Sequence, residues 1–400
     1  MPGTEPGARG SVREVFTAFL GLGLTSFGGP VAHLGYFRSA FVERRRWLTE
    51  RSYADLVALC QFLPGPASSQ VGMAIGLHRA GIGGLLAAWT AFTLPSAVLL
   101  VAFALGVQAL GAAPDSGWLQ GLKAAAVAVV AHAVLGMARS LAPDRERATI
   151  AVAGMALALL LPSAVGQVLV ILAAGVAGLL WLRPEPTGHD GDRLAVPVGR
   201  RTALACLGLF AVLLAALPAL AAATNDGAVR LIDGFYRAGS LVFGGGHVVL
   251  PLLRAETVPT GLVADQTFLA GYGAAQAVPG PLFTFAAYLG AVAQSPPNGL
   301  AGAGMALVAV FLPSVLLILG ALPFWERLRR APRAQRSLMG VNAGVVGLLA
   351  AALYDPVFTE GVTSAVALAI AAGAFVALSA WKVPAWAVVV VAALAGWVVL

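Results

Sequence analysis

The chain has 400 residues, 59% of them hydrophobic and only 11% charged, with a mean hydropathy of +0.86. A soluble domain carries about 25% charged residues, so most of this exterior must face lipid. A net charge of +7 and a pI near 10.0 would suggest nucleic acid in a soluble protein. Here the basic residues sit in loops beside apolar spans, the positive-inside pattern, and nucleic acid is excluded as a partner.

Residues 1–14 form a polar tail with no small-residue cleavage site after the first apolar run, so no removable signal peptide is expected. Apolar segments follow at residues 15–41, 53–77, 83–110, 118–141, 148–161 and 164–182. A polar linker, residues 183–201 with PEPTGHDGD inside it, leads to an extra span at 202–223. Six more apolar segments occupy 231–253, 268–293, 300–322, 337–354, 362–381 and 386–400. The chain therefore divides into a tail (1–14), a first repeat (15–182), a linker with one extra span (183–230) and a second repeat (231–400). Cys60 and Cys206 stand alone in apolar segments with no metal-binding spacing, and are read as free thiols.

The repeat rests on four motifs that recur in one order about 215 to 219 residues apart. Phe27-Gly28-Gly29-Pro30 with His33 returns as Phe243-Gly244-Gly245-Gly246 with His247. Gln61-Phe62-Leu63-Pro64-Gly65-Pro66 returns as Gln276-Ala277-Val278-Pro279-Gly280-Pro281. Leu94-Pro95-Ser96 matches Leu312-Pro313-Ser314, and Leu119 to Ala124 matches Leu338 to Ala343.

Equivalent loops carry opposite charge. Arg44, Arg45, Arg46 and Arg51 follow the first segment, whereas the corresponding stretch at 257–265 is acidic or neutral. Arg145 and Arg147 have Asp355 and Glu360 as counterparts, and Asp115 faces Arg327, Arg329, Arg330, Arg333 and Arg336. The expected fold is thus an all-α polytopic membrane protein of two inverted-topology repeats, the extra span supplying the odd crossing. Segment 53–77 has an arginine at each end, Arg51 and Arg79, and a Pro-Gly-Pro centre. Each piece is too short for a core that needs about 20 residues, so a re-entrant hairpin is expected.

Broken helices are costly in hydrocarbon unless they line a cavity or lie inside the protein. Four breaks are expected: Gly28-Gly29-Pro30, Pro64-Gly65-Pro66, Gly244-Gly245-Gly246 and Pro279-Gly280-Pro281. Each restarting helix offers free N–H groups and a positive dipole end, a ready anion site. Ser68, Ser69 and Gln70 open the helix after Pro66, where a serine also serves as an ordinary cap. Gln61 and Gln276 either donate amide hydrogens to an oxyanion or cap the half-helix they end. His33 and His247 are either core residues with satisfied nitrogens or, paired by the repeat, proton carriers or anion contacts. Lys123 either attracts an anion or snorkels from a helix end, and its counterpart Asn342 is neutral. Arg38 and Arg254 are entry-path charges or plain loop arginines. Gly72-x-x-x-Gly76 and Gly340-x-x-x-Gly344 suit helix packing. No HExxH, aspartate-rich, cysteine-pair or phosphate-loop motif is present, so neither an enzyme nor a bound metal or cofactor is expected.

The stretches FGGPVAHLGYFR, FV-x-RRRWL, QFLPGPASSQVG and W-x-x-F-x-LPS resemble the signatures of the chromate ion transporter family. FGGGHVVLPLL and QAVPGPLF resemble that family's C-terminal half, so the likeness spans about residues 16–140 and 232–354. It implies a carrier in the cytoplasmic (inner) membrane that exports chromate, driven by the proton motive force or membrane potential, and confers chromate resistance. The alternative is a sulfate or general tetrahedral oxyanion carrier working by uptake or exchange. The partners so implied are the lipid bilayer, a small oxyanion and a coupling proton, with room for a homodimer. Gly246 in place of Pro30, and Leu282-Phe283-Thr284 in place of Ala67-Ser68-Ser69, imply unequal roles for the two halves.

Overall fold

The computed structural model describes residues 10–27, 29–109, 116–183, 198–243, 246–325 and 331–400. Regular structure there is entirely helical, as the composition requires of a chain that must satisfy its backbone within lipid. Most of the linker 183–201, together with Asp115, Arg327, Arg329 and Arg330, lies outside the described residues.

Each half opens with two hairpins of short helices. In the first half α1 (Val12–Thr25) is followed by α2 (Gly29–Phe37) and a π-helical turn, Arg38–Arg44. Phe19 of α1 stacks on Phe41 with centroids 4.8 Å apart and meets Phe37 edge-on at 5.6 Å, so the two arms run side by side. The apolar segment 15–41 is therefore folded back on itself. Its second-half equivalents are α9 (Gly227–Ser240) and α10 (Val249–Thr257).

The second hairpin joins α3 (Glu50–Phe62) to the start of α4 (Ala67–Ala109). As one rod α4 would be too long for a bilayer, but its backbone is not continuous. Ala80 (φ −140°, ψ 27°) and Gly81 (φ 63°, ψ −155°) turn the chain, the latter in a region open only to glycine. Beyond the turn, Gly84 lies against Gly76 so tightly that a Cβ on either would overlap the other's carbonyl oxygen. The Arg79 guanidinium meets Glu14 at 3.2 Å and sits 5.1 Å above the Trp47 ring. Both ends of the segment 53–77 hence lie together, the re-entrant hairpin that its flanking arginines predict. The second-half counterpart runs through α11 (Asp265–Ala277), a 3₁₀ turn at Leu282–Thr284 and α12 (Phe285–Ala291). Its ends are tied by the Gln294 amide donating to the Leu262 carbonyl at 2.9 Å.

The rest are spans and paired helices: α5 (Gly117–Leu141), α6 (Arg145–Leu160), α7 (Ala164–Trp181), α8 (Arg200–Thr224) and α13 (Gly299–Ala321). α14 (Pro332–Ala352), α15 (Ala365–Ser379) and α16 (Ala385–Val399) complete the chain. Among the described residues five helices, α4, α5, α8, α13 and α14 with its tail, are long and apolar enough to cross a membrane. Leu204, Leu209 and Val212 of α8, with Leu180, Trp181, Trp397 and Val398, are exposed, which suits a lipid-facing surface with aromatic residues near its rims. Cys60 is buried and Cys206 half-buried, both as free thiols.

The halves interlock. α6 and α7 pack on α14, and α15 and α16 pack on α5. The contact is made by glycine on both sides of the exchange. A Cβ at Gly121 would overlap the Ala392 carbonyl, and one at Gly340 would overlap the Ala174 carbonyl. Gly72 and Gly76, like Gly340 and Gly344, serve packing as their spacing predicts. Overfilling a tight core costs typically about 1–3 kcal/mol, and more against rigid backbone. Gly121→Leu and Gly340→Leu should each lose the monodisperse peak in size-exclusion chromatography after detergent extraction. Gly136→Leu, which meets nothing within 4 Å, should keep it.

Candidate substrate site

The four breaks come together in two reciprocal pairs. The Gly65 amide of the second break donates to the Val242 carbonyl in the third, at 2.7 Å. The Gly280 amide of the fourth donates to the Ser26 carbonyl in the first, at 2.9 Å. Both glycines have positive φ, 123° and 99°, which lets their N–H groups turn out of the chain direction. Ser314 packs on Gly65 and Ser96 on Gly280, so even the side chains behind each break are exchanged between halves.

The first break runs from Ser26 to Gly29, where α2 begins with φ 75°. His33 sits one turn into α2, 1% exposed. Its Nε2 lies 3.2 Å from the Ser26 carbonyl, which can only accept, so Nε2 carries a hydrogen. Nδ1, 3.3 Å from Ser68 Oγ, then takes the hydroxyl hydrogen when the ring is neutral. Both nitrogens are used, and His33 pins the break together. Pro30 lies in the first turn of α2, half-buried.

The second break is sealed from within. Gln70 Nε2 donates back to the Pro64 carbonyl at 2.7 Å, and Pro66 accepts the Gln70 amide at 2.9 Å. Ser68, Ser69 and Gln70 are all buried, while Gln61 is exposed. None of these residues lines the cavity at the breaks. Lys123, 5% exposed on α5, does not line it either. Arg38 is tied to Glu43 and Glu50 at 2.6 Å each, and Arg254 to Asp265 at 2.9 Å, in ion pairs at the hairpin ends.

In the third break Gly244 and Gly245, like Gly28 in the first, lie outside the described residues. Gly246 opens a 3₁₀ turn in which His247 places Nδ1 2.9 Å from the Tyr272 hydroxyl. In the fourth, Pro279 is buried, and the Pro281 carbonyl takes the Thr284 amide and hydroxyl at 3.0 and 2.7 Å.

A cavity of about 270 Å³ opens where three of the breaks meet. Gly29, His247, Gln276 and Gly280 line it, with His132 from α5 and Lys382 from the turn between α15 and α16. His132 Nδ1, a donor in one of the two ring tautomers, is buried there without a direct partner, and the Gln276 amide, also buried, has only the Tyr272 hydroxyl beside it. Such groups cost about 1–3 kcal/mol each when left unmatched, so a ligand that accepts hydrogen bonds is favoured. No carboxylate lines the cavity among the described residues. Lys382 and the N-terminal end of α2 both favour negative charge. A larger cavity of about 800 Å³ lies at the ends of α6, α7 and α14, but its lining mixes Asp144 and Glu146 with Arg147 and Arg183. The Arg147 amide and guanidinium hold the Asp144 carboxyl below the usual carboxylate range. It is a balanced ionic rim rather than an anion site.

Sequence reasoning missed His132 and Lys382, because neither falls in a repeated motif. An ionisable residue in the middle of an apolar span is itself a signal, and His132 carries it. Lys382 carries none, since its place is set by a turn with φ 57°.

Half-helices meeting inside a helical shell with an apolar, lipid-facing surface belong to a multi-pass protein of the cell membrane, and the sequence comparisons make it a transport protein. The chain belongs to the chromate transporter family, whose sequence pattern matches residues 13–179 and again residues 229–397. It is 32% identical to a chromate transport protein of Pseudomonas aeruginosa, covering 97% of this chain and 92% of the relative. A probable chromate transport protein of Synechococcus elongatus is 28% identical, with 96% and 95% covered. One from Cupriavidus metallidurans is 27% identical, with 86% and 82% covered. No solved structure matches the chain.

Because a side chain at positive φ is strained by about 1–3 kcal/mol, Gly65→Ala and Gly280→Ala should each lower stability by about that much. A Cβ at Gly65 would also lie 2.5 Å from Gln70 Nε2 and Ser314 Oγ. Gly35→Ala, in open space, should leave thermal unfolding in detergent unchanged or slightly raise it.

Proposed function

We propose that the chain is a secondary carrier that moves chromate out of the cytoplasm by alternating access around the cavity at the breaks. The observation that carries this reading is a cavity lined by Lys382, His132, His247, the Gln276 amide and the start of α2, with no carboxylate among the described residues. A tetrahedral dianion matches such donors with acceptor oxygens on every side. Names of the relatives from Pseudomonas aeruginosa and Cupriavidus metallidurans support chromate as the cargo. An inside-negative potential favours outward movement of an anion by about 2.3 kcal/mol per charge per 100 mV, which makes export, and hence chromate resistance, the energetically natural direction. The relatives named as transport proteins support a carrier rather than an enzyme.

The halves, residues 15–182 and 231–400, are read as lying inverted in the bilayer, which the reciprocal break contacts and the duplicated family match support. Single cysteines at Arg46 and Gly261, in a chain with Cys60 and Cys206 replaced, should then be labelled from opposite faces of the membrane. Labelling of both from one face would refute the inversion.

Radiolabelled chromate uptake into everted vesicles, with and without excess sulfate, tests the cargo. Energised accumulation above vesicles without the protein, little affected by sulfate, is expected. Loss of accumulation with sulfate would make it a general dianion carrier, and no accumulation under a verified potential would overturn export. Lys382→Ala and His132→Ala should each cut the rate about tenfold, equivalent to about 1.4 kcal/mol, while Lys382→Arg should retain most of it.

A further inference from the structure

The hairpin that carries the third break contains a charge cluster that neither the repeat nor the cavity requires. Asp233 and Arg237 stand one turn apart on α9, and α10 brings Glu256 to the same guanidinium. Arg237 pairs with Asp233 and, at 3.3 Å, with Glu256. Only 9% of the Asp233 side chain and 11% of the Glu256 side chain is exposed. Glu256 packs over Gly234, where an added Cβ would sit 3.4 Å from the glutamate's own Cβ.

Two carboxylates share one guanidinium, leaving one negative charge without a partner. Among the described residues the neighbouring elements supply none. α13 contains no ionisable residue, and Arg230 of α9 is exposed. Arg254 of α10 is held by Asp265, and Tyr236 donates its hydroxyl to the Phe210 carbonyl at 3.1 Å. Arg200 and Arg201 of α8 lie at the far end of that helix, Arg200 over Phe324; on α14 Arg333 is exposed and the Arg336 turn packs on Gly178. An unpaired charge is costly away from water, and neutralisation by one proton relieves it.

The fold does not need these charges. In the matching hairpin of the first half the equivalent positions are Thr17, Gly21 and Ala40, and α1 is held to α2 by Phe19, Phe37 and Phe41 instead. The cluster also has a mechanical link to the cavity. Arg237 lies in the last turn of α9, which leads into the break, and α10 follows the 3₁₀ turn that holds His247, which lines the cavity. A change in how Glu256 holds Arg237 therefore acts on both arms of the hairpin whose tip forms the site.

We propose that Asp233 and Glu256, clamped by Arg237, bind the proton that couples the carrier to the proton gradient. This rests on the carrier reading above. The proton goes to a carboxylate oxygen and leaves from it; no other bond changes.

The test uses the full chain reconstituted in liposomes, with wild type, Glu256→Gln and Asp233→Asn compared. Chromate exchange at equal concentrations on both sides is measured beside net accumulation under an imposed pH gradient at clamped potential. Glu256→Gln should keep exchange within about twofold of wild type and lose gradient-driven accumulation at least tenfold. Parallel loss of both activities in folded variants would show a structural role and overturn the proposal, as would full retention of gradient-driven accumulation. Wild type that exchanges chromate but ignores the gradient would overturn proton coupling and leave the carrier standing. Infrared difference spectra of the purified protein give a readout independent of transport. A protonated carboxylic acid band at neutral pH, lost in Glu256→Gln or Asp233→Asn, supports the site, and its absence from wild type overturns it. Absence of exchange with the band present would bring down the carrier reading alone.

Discussion

A peptide group in hydrocarbon has no water to fall back on, and this structure is organised around the places where that rule is most at risk. Each hairpin in the two halves interrupts its helix deep in the protein, which frees amides and carbonyls that the helix would have paired. The two halves repair one another. Gly65 gives its N–H to Val242 across the interface, and Gly280 gives its N–H to Ser26. Neither half could satisfy its own breaks in this way, so the interface between the repeats is a condition for the broken helices to exist. The exchange of α6 and α7 onto α14, and of α15 and α16 onto α5, extends the same dependence to the outer helices.

On this reciprocal frame the chemistry is one-sided. His33 spends both ring nitrogens on Ser26 and Ser68, and Gln70 closes the Pro64 carbonyl. The first-half breaks are thereby filled by their own side chains. In the second half Thr284 closes the Pro281 carbonyl, but a cavity remains beside the breaks. His247 turns to Tyr272, and the gap is lined by Gln276, His132 and Lys382. A duplicated scaffold thus supplies the geometry, and divergence of a few polar residues turns one of its two faces into a cavity suited to an anion.

On the proposed reading the same divergence keeps the sites for anion and proton apart. The cavity gathers donors and no carboxylate, while the carboxylates of the hairpin are gathered around Arg237, in the last turn of α9. In that proposal, placing the two on one hairpin lets the charge state of one bear on the shape of the other without direct contact. A coupling free energy needs only that the hairpin have two arrangements that both sites bias.

Much of this was legible in the residues themselves. Low charge and long apolar runs demand a membrane protein whatever its tertiary structure, because lipid acts on composition. The repeat was visible because Gly and Pro at breaks are backbone requirements, which leave the same letters at the same spacing in both halves. The re-entrant hairpin at 53–77 could be inferred from Arg51 and Arg79, since charges do not stay in hydrocarbon. What a broken helix faces is decided by its neighbours, and here only the tertiary structure could speak. It showed that Ser68, Ser69 and Gln70 turn inward as a plug, that Gln61 is exposed, and that segments 15–41 and 231–253 fold back at their breaks. It also brought His132 and Lys382 to the cavity, and Glu256 to Asp233 and Arg237, from elements whose meeting no periodicity encodes. Local sequence determines where a chain must bend, because that is a property of a few consecutive residues; which bends meet is a property of packing, and packing belongs to the whole chain.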